Sequence, residues 1–142
     1  MDVFNKLVNN LHPDQLEIQI HETVEKWTTL EILRHIAFSE KPIARLIKSV
    51  ISGKPGVSEE FDLNRSNEIA RSKLQNVQLD GIKSKMLEAR QMTLELLPSV
   101  QSEDWEKTGR YFNQDIMTVK RMFELLIWHQ SHHTQQILDK IG

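Results

Sequence analysis

Residues 119–141 read VKRMFELLIWHQSHHTQQILDKI, and the spacing of the apolar residues in this stretch decides the class of fold. Val119, Met122, Phe123, Leu126, Ile137 and Ile141 recur at three- and four-residue steps, and His129 and His133 complete the same stripe. That period places them on one face of an α-helix. Thr118 stands where an N-cap belongs. The pattern predicts a helix lying against a core, with two imidazoles one turn apart on its core-facing side.

Working back along the chain, Thr28-x-x-Glu31 has the form of a capping box ahead of Leu30, Leu33, Ile36 and Ala37. A second helix is therefore expected from Thr28 to about Ser52, where Ser52-Gly53-Lys54-Pro55-Gly56 ends it. Pro42 lies inside this pattern and predicts a kink near Phe38 to Pro42 or a break. A third helical segment spans about Asn64 to Leu97, with Asp80 as a candidate cap for a fresh start at Asp80-Gly81 and Pro98 as its stop. Ser99 to Asp115 reads as a long connection with a short turn at Ser102 to Trp105. The first eleven residues, with Val3, Phe4, Leu7, Val8 and Leu11, make a short helix before His12-Pro13. Beyond it two readings stay open: Leu16, Ile20 and Val24 step like a helix, whereas Leu16, Ile18 and Ile20 alternate like an extended segment.

No Asn-Gly or Asp-Gly sits between alternating apolar residues, so little supports a β-hairpin. The fold expected is all-α, an antiparallel helical bundle with an interior site built from facing helices, as one domain over residues 1–142. Lys plus Arg number 18 against 20 Asp plus Glu, a balance without the basic footprint of a nucleic-acid or anionic-membrane partner. No stretch approaches the roughly 18 apolar residues of a membrane span, and no basic patch precedes an apolar run at the N-terminus. Cysteine is absent. Disulfides, thiolate metal ligands and a cysteine nucleophile are excluded, and a cytoplasmic location is the expectation.

Two imidazoles at i and i+4 can reach one metal ion from adjacent helical turns. His129-x-x-x-His133 has that spacing, and His35 offers a third nitrogen from the second amphipathic helix. The spacing is shared with zinc proteases, but Gln130 stands where their general-base glutamate would be, which disfavours that chemistry. A hydrogen-bonded histidine pair with no metal is the competing reading. Three neutral imidazoles would leave positions open for water or substrate, the arrangement of a catalytic site. Imidazole suits Zn, Ni, Fe and Cu alike. His132 lies about 100 degrees around the helix from His133 and reads as an interface or outer residue. Glu40 and Gln136 are candidates to line the cavity, with solvated or packing roles as the alternative. Trp27, Trp105 and Trp128 read as packing residues, Met86, Met92, Met117 and Met122 as core filling, and Lys83, Lys85 and Arg90 as a solvated basic face.

Trp27-Thr28, the run Ile32-Leu33-Arg34-His35-Ile36, and His129-Gln130-Ser131-His132-His133-Thr134-Gln135-Gln136-Ile137 together resemble the DinB-like (YfiT-like) superfamily of metal-dependent proteins. The stretch Phe61-Asp62-Leu63-Asn64-Arg65-Ser66-Asn67-Glu68 is similar to that family's entry into its third helix. Gln135 stands where a glycine is frequent in the family. The resemblance runs from about Trp27 to the end of the chain. It implies an up-down-down-up four-helix bundle, one divalent ion (nickel, zinc or iron) held by His35, His129 and His133, and a homodimer. It also implies a small-molecule substrate and a low-molecular-weight thiol activated at the metal, as in bacillithiol or mycothiol transferases and a thiol-dependent maleylpyruvate isomerase. A metal-dependent hydrolase and a metal-binding module without catalysis are the other readings it carries. No general acid or base is identifiable from spacing.

Overall fold

The computed structural model describes residues 2–20 and 27–141. Five α-helices and one small hairpin follow each other in the order α1 (Asp2–Asn10), α2 (Thr29–Ile51), α3 (Leu63–Lys73), α4 (Leu79–Leu96), β1 (Thr108–Arg110), β2 (Ile116–Thr118) and α5 (Val119–Ile141).

The capping box at the start of α2 is present in both directions: Glu31 N donates to Thr28 Oγ1 at 3.2 Å, and Thr28 N donates to Glu31 Oε1 at 3.0 Å. Pro42 sits inside the helix without ending it, so α2 runs unbroken to Ile51 although the Phe38 carbonyl loses its usual partner. At the other long helix, Arg121 N donates to Thr118 Oγ1 at 3.1 Å, which confirms the cap read from the sequence.

The third helical segment departs from expectation. It breaks at Leu74 to Gln78 instead of at Asp80-Gly81, giving a short α3 and a separate α4. Asp80 is not the cap. It lies in the first turn of α4, where a carboxylate complements the exposed N–H groups and the helix dipole. The break is pinned by Arg34, a buried side chain of α2 whose Nε donates to the Val77 carbonyl at 2.8 Å.

Before α2, a 3-10 turn covers Pro13–Glu17, and Gln19 then pairs with Thr28 in an antiparallel bridge. Of the two readings left open there, the extended one holds for Ile18 to Ile20; Val24 lies outside the described residues.

The β-hairpin is a correction to the sequence reading. β1 and β2 pair antiparallel in the register Thr108↔Thr118, Gly109↔Met117 and Arg110↔Ile116. The turn between them, Tyr111 to Asp115, is longer than the two-residue turns that give hairpins away in sequence, and Gln114 takes its left-handed position at φ 76°. The other edge of β1 is held by the segment after α2. Arg110 N donates to the Pro55 carbonyl at 2.8 Å, and Val57 N donates to the Arg110 carbonyl at 3.0 Å.

Gly56 makes that contact possible. Its φ is +97°, and an added Cβ would lie 2.4 Å from both the amide nitrogen and the carbonyl oxygen of Arg110. Gly56→Ala is therefore expected to lower the unfolding free energy by about 2 kcal/mol or more, through left-handed strain and backbone overlap together. Urea denaturation measures it, and a loss under about 0.5 kcal/mol would show that the clamp on the hairpin is dispensable.

Cross-helix contacts fix the directions of the main helices. Arg34 of α2 meets Val77, and further along Glu40 meets Arg90 and Thr93, so α2 and α4 run parallel. His35 meets His133, while Val50 packs in one cluster with Val119 and Met122, so α5 runs antiparallel to α2. The apolar interior has two lobes. One gathers Phe4, Leu7, Val8, Ile32, Leu33, Ile82, Met86 and Ile137; the other gathers Ile43, Ile47, Val50, Val119, Met122 and Leu126. Between the lobes along α2 and α5 lies a polar belt.

Candidate metal centre

Two kinds of polar side chain occupy that belt. On one side, Glu40 is 4 % exposed and is gripped by Arg90 through two hydrogen bonds, Nε to Oε2 at 2.9 Å and a terminal nitrogen to Oε1 at 2.7 Å. Thr93 Oγ1 donates to the same carboxylate at 2.9 Å, and Arg90 also donates to Gln130 Oε1 at 2.6 Å. Of the roles open to Glu40 the packing one holds, since it neither lines the cavity nor faces solvent. Arg90 is a correction: expected on a solvated basic face, it is drawn inward, because a buried carboxylate requires a cation and donors.

On the other side are the histidines. The buried stripe of α5 passes from Leu126 through Gln130 and Thr134 to Ile137, not through His129 and His133 as the periodicity suggested. The two histidines are half-buried and lie beside that stripe, on a cavity wall. There His35 of α2 joins them. The three residues each offer one ligand atom, and these atoms lie within 4.8 Å of one another. His35 Nε2 and His129 Nε2 are 2.9 Å apart. The rings meet edge to face, with centroid separations of 4.6 to 5.0 Å. All three sequence-derived candidates thus come together.

The ring orientations are set by neighbours. Gln136 Oε1, one turn beyond His133, accepts a hydrogen bond from His133 Nδ1 at 2.7 Å. An amide oxygen can only accept, so the proton sits on Nδ1 and Nε2 carries the lone pair. Ser39 Oγ lies 3.4 Å from His35 Nδ1 and donates to the His35 carbonyl, which likewise leaves Nε2 as the inward nitrogen. Trp27, buried at the start of α2, packs edge-on against His35 at 5.5 Å, and the Arg71 guanidinium lies 5.3 Å over its ring. Arg71 in turn bonds Glu31. Burial pushes the Glu31 carboxyl up, but the hydrogen bonds from Arg71 and Thr28 outweigh it and hold the group below its usual range. His132 stands aside as expected, stacked on Trp128 at 4.4 Å. Trp128 itself is exposed, not a packing residue.

Burial, and then the neighbouring imidazoles of His35, His133 and His132, push the His129 ring down to about 3. It is therefore neutral at any ordinary pH. The consequence for stability has a definite sign. Above about pH 6.5, the ordinary value for histidine, neither the folded nor the unfolded chain protonates this group, and it contributes nothing. Between there and pH 3 the unfolded chain takes a proton that the folded chain refuses, so stability falls as pH falls. Protein kept in EDTA should lose up to about 2 kcal/mol between pH 7 and pH 5 from this group. Urea midpoints measured at both values test it, and an equally steep loss in His129→Gln would assign the pH dependence elsewhere.

The histidines form part of the wall of a cavity of about 580 Å³. Its roof is α3, which buries no residue fully and instead presents Leu63, Ser66, Asn67, Ala70 and Leu74 along one face. Tyr111 and Phe112, from the hairpin turn, close another side together with Phe61: the Phe112 ring centroid lies 5.2 Å from that of Tyr111 and 5.5 Å from that of Phe61. Burial alone raises the Tyr111 hydroxyl to about 12. Sequence reading found none of these cavity residues, since nothing in a helical period announces a hairpin turn. Gln136, which the sequence offered as a cavity-lining candidate, is not in that lining but bonds His133 and so fixes its tautomer.

A helical bundle carrying three converging imidazoles at the wall of a cavity defines the class. The chain belongs to the DinB superfamily, whose family model matches residues 1–137. Among solved structures it is similar to TT2238, described as a four-helix bundle protein, at 15 % identity and a TM-score of 0.69. That likeness covers 97 % of this chain and 89 % of the other. No curated protein matches the chain. No helix among the described residues is long and apolar enough to cross a membrane.

Proposed function

We propose that His35, His129 and His133 hold one divalent metal ion and that the chain is a metal-dependent enzyme of the thiol S-transferase type. The observation that carries this reading is the convergence of three imidazole nitrogens at a cavity large enough for a small molecule. An all-nitrogen, neutral donor set suits a borderline divalent ion such as nickel, zinc or iron, and three ligands leave coordination positions free. When bound, the ion supplies the positive charge that favours the deprotonated, nucleophilic form of a thiol or water near neutral pH.

The chain's own residues do the rest. Gln136 and Ser39 fix two imidazoles with Nε2 inward, Trp27 packs against His35, and the aromatic wall around Phe112 limits water around the reacting groups. For the fold, we read the full helix order as up-down-down-up, with α3 as an addition to the long crossover that parallel α2 and α4 require. The observed directions of α2, α4 and α5 support it.

A screen of electrophiles with and without an added thiol tests the activity. The expected result is turnover that needs the thiol, stops in EDTA and returns with one metal. Turnover independent of thiol would favour the hydrolase, and equal rates with and without EDTA would defeat both.

A further inference from the structure

The walls of the cavity also say what enters it. Among the described residues that line it there is no Asp, Glu, Lys or Arg. Cations close to its walls are engaged: Arg71 bonds Glu31, Arg34 donates to the Val77 carbonyl, and Lys85, over the ring of Phe38, pairs with Glu88 at 3.6 Å. A charged group brought into this space would lose its hydration and find no counter-charge except at the histidines. Apolar matter is provided for, by Phe38, Phe61, Phe112, Ile43 and Pro42.

Among the neutral polar side chains of that lining, those of Tyr111, Ser66 and Asn67 make no hydrogen bond with the described residues. Ser39, by contrast, is already committed to the His35 carbonyl. Tyr111 keeps its proton throughout the working range. It is carried on the hairpin turn and lines the same cavity as the histidines. Polar groups in an apolar enclosure acquire partners when something binds.

We infer that the cavity takes an uncharged, aromatic small molecule whose polar acceptor, a carbonyl or similar oxygen, receives a hydrogen bond from the Tyr111 hydroxyl. This deepens the proposed function by naming the class of its second substrate, and it rests on that reading only for the use made of the site. Recognition of this kind is selective in a stated way. The aromatic walls give affinity, the phenol gives orientation, and with no Lys or Arg in the lining an anion finds a partner only at the histidines.

Equilibrium dialysis of the full chain as purified, with three naphthalene probes, tests it. 2-Acetylnaphthalene is neutral with an acceptor, 2-ethylnaphthalene is neutral without one, and 2-naphthalenesulfonate is anionic and a weak metal ligand. The ketone should bind saturably and at least tenfold more tightly than the sulfonate. Tyr111→Phe should weaken the ketone five- to tenfold and leave 2-ethylnaphthalene unchanged. Ala70→Trp, at an exposed position on the cavity face of α3, should weaken both neutral probes at least tenfold. The inference is overturned if the ketone does not saturate, if the sulfonate binds as tightly, if Tyr111→Phe leaves the ratio of the two neutral probes unchanged, or if Ala70→Trp has no effect. Affinity is read without turnover and without added metal. A chain that binds the ketone but holds no ion would sink the proposed function alone, and one that holds the ion but rejects the ketone would sink this inference alone.

Discussion

Arg90→Ala is expected to lower the unfolding free energy by about 3 kcal/mol, at the low end of the range for breaking one side of a buried ion pair. The reason is what it leaves behind. Glu40 is 4 % exposed, and Arg90 supplies two of the hydrogen bonds to its carboxylate, with Thr93 supplying another. Without the guanidinium the carboxylate is left without its cation in a low-dielectric belt between two apolar lobes, and Gln130 Oε1 also loses a donor. The Arg90 side chain is 23 % exposed, so water entering the space it vacates relieves part of the penalty, which argues for the lower figure. Glu40→Gln with Arg90→Met, which removes both charges, should cost less than the two single changes added together. In urea the midpoint should fall with the slope unchanged. A cost under about 1 kcal/mol for Arg90→Ala would place the pair with ordinary surface ion pairs, and the belt would then be incidental to stability.

The same belt explains how far the sequence could be read. Helix boundaries carried by local chemistry were legible: the Thr28 and Glu31 box, the Thr118 cap, and the stop at Ser52-Gly53 all depend on residues a few positions apart. The stripe of α5 was legible as far as Leu126. Beyond that point it shifts by one residue, to Gln130 and Thr134, because the belt buries polar groups while the histidines turn toward the cavity. A hydrophobic period cannot tell a buried polar residue from an imidazole facing a cavity.

Contacts made across topology were not legible at all. Glu40 and Arg90 are fifty positions apart in sequence, and only the parallel course of α2 and α4 brings them together. The cavity depends on a roof helix with no buried residue and on a hairpin turn with a left-handed Gln114, neither of which has a strong sequence pattern. The three histidines were found because two share one helix and all three fall within motifs resembling the superfamily's; the walls that decide what they act on carry no such mark.

His133→Ala purified beside the wild type should retain less than a tenth of its metal, against about one ion per chain for the unaltered protein, with affinity lowered at least a hundredfold. His133 contributes one of three nitrogens whose atoms lie within 4.8 Å. Its loss leaves His35 and His129, and two imidazoles hold a divalent ion weakly in competition with water. A graded series separates coordination from general damage to the bundle. Gln136→Leu keeps the ligand but removes the acceptor that holds the proton on Nδ1, so a loss of about tenfold is expected, with the fold unchanged by circular dichroism. His132→Ala, one position from a proposed ligand but stacked on exposed Trp128, should leave the metal content as it was. Calorimetric titration of each chain with zinc and nickel gives the affinities, and elemental analysis gives the stoichiometry. The ordering of the three variants is the test, because a cluster that merely stabilised the helices would lose metal by unfolding in any of them, whereas coordination predicts a steep fall at His133, a shallow one at Gln136 and none at His132. Equal metal content in wild type and His133→Ala would end the three-histidine assignment.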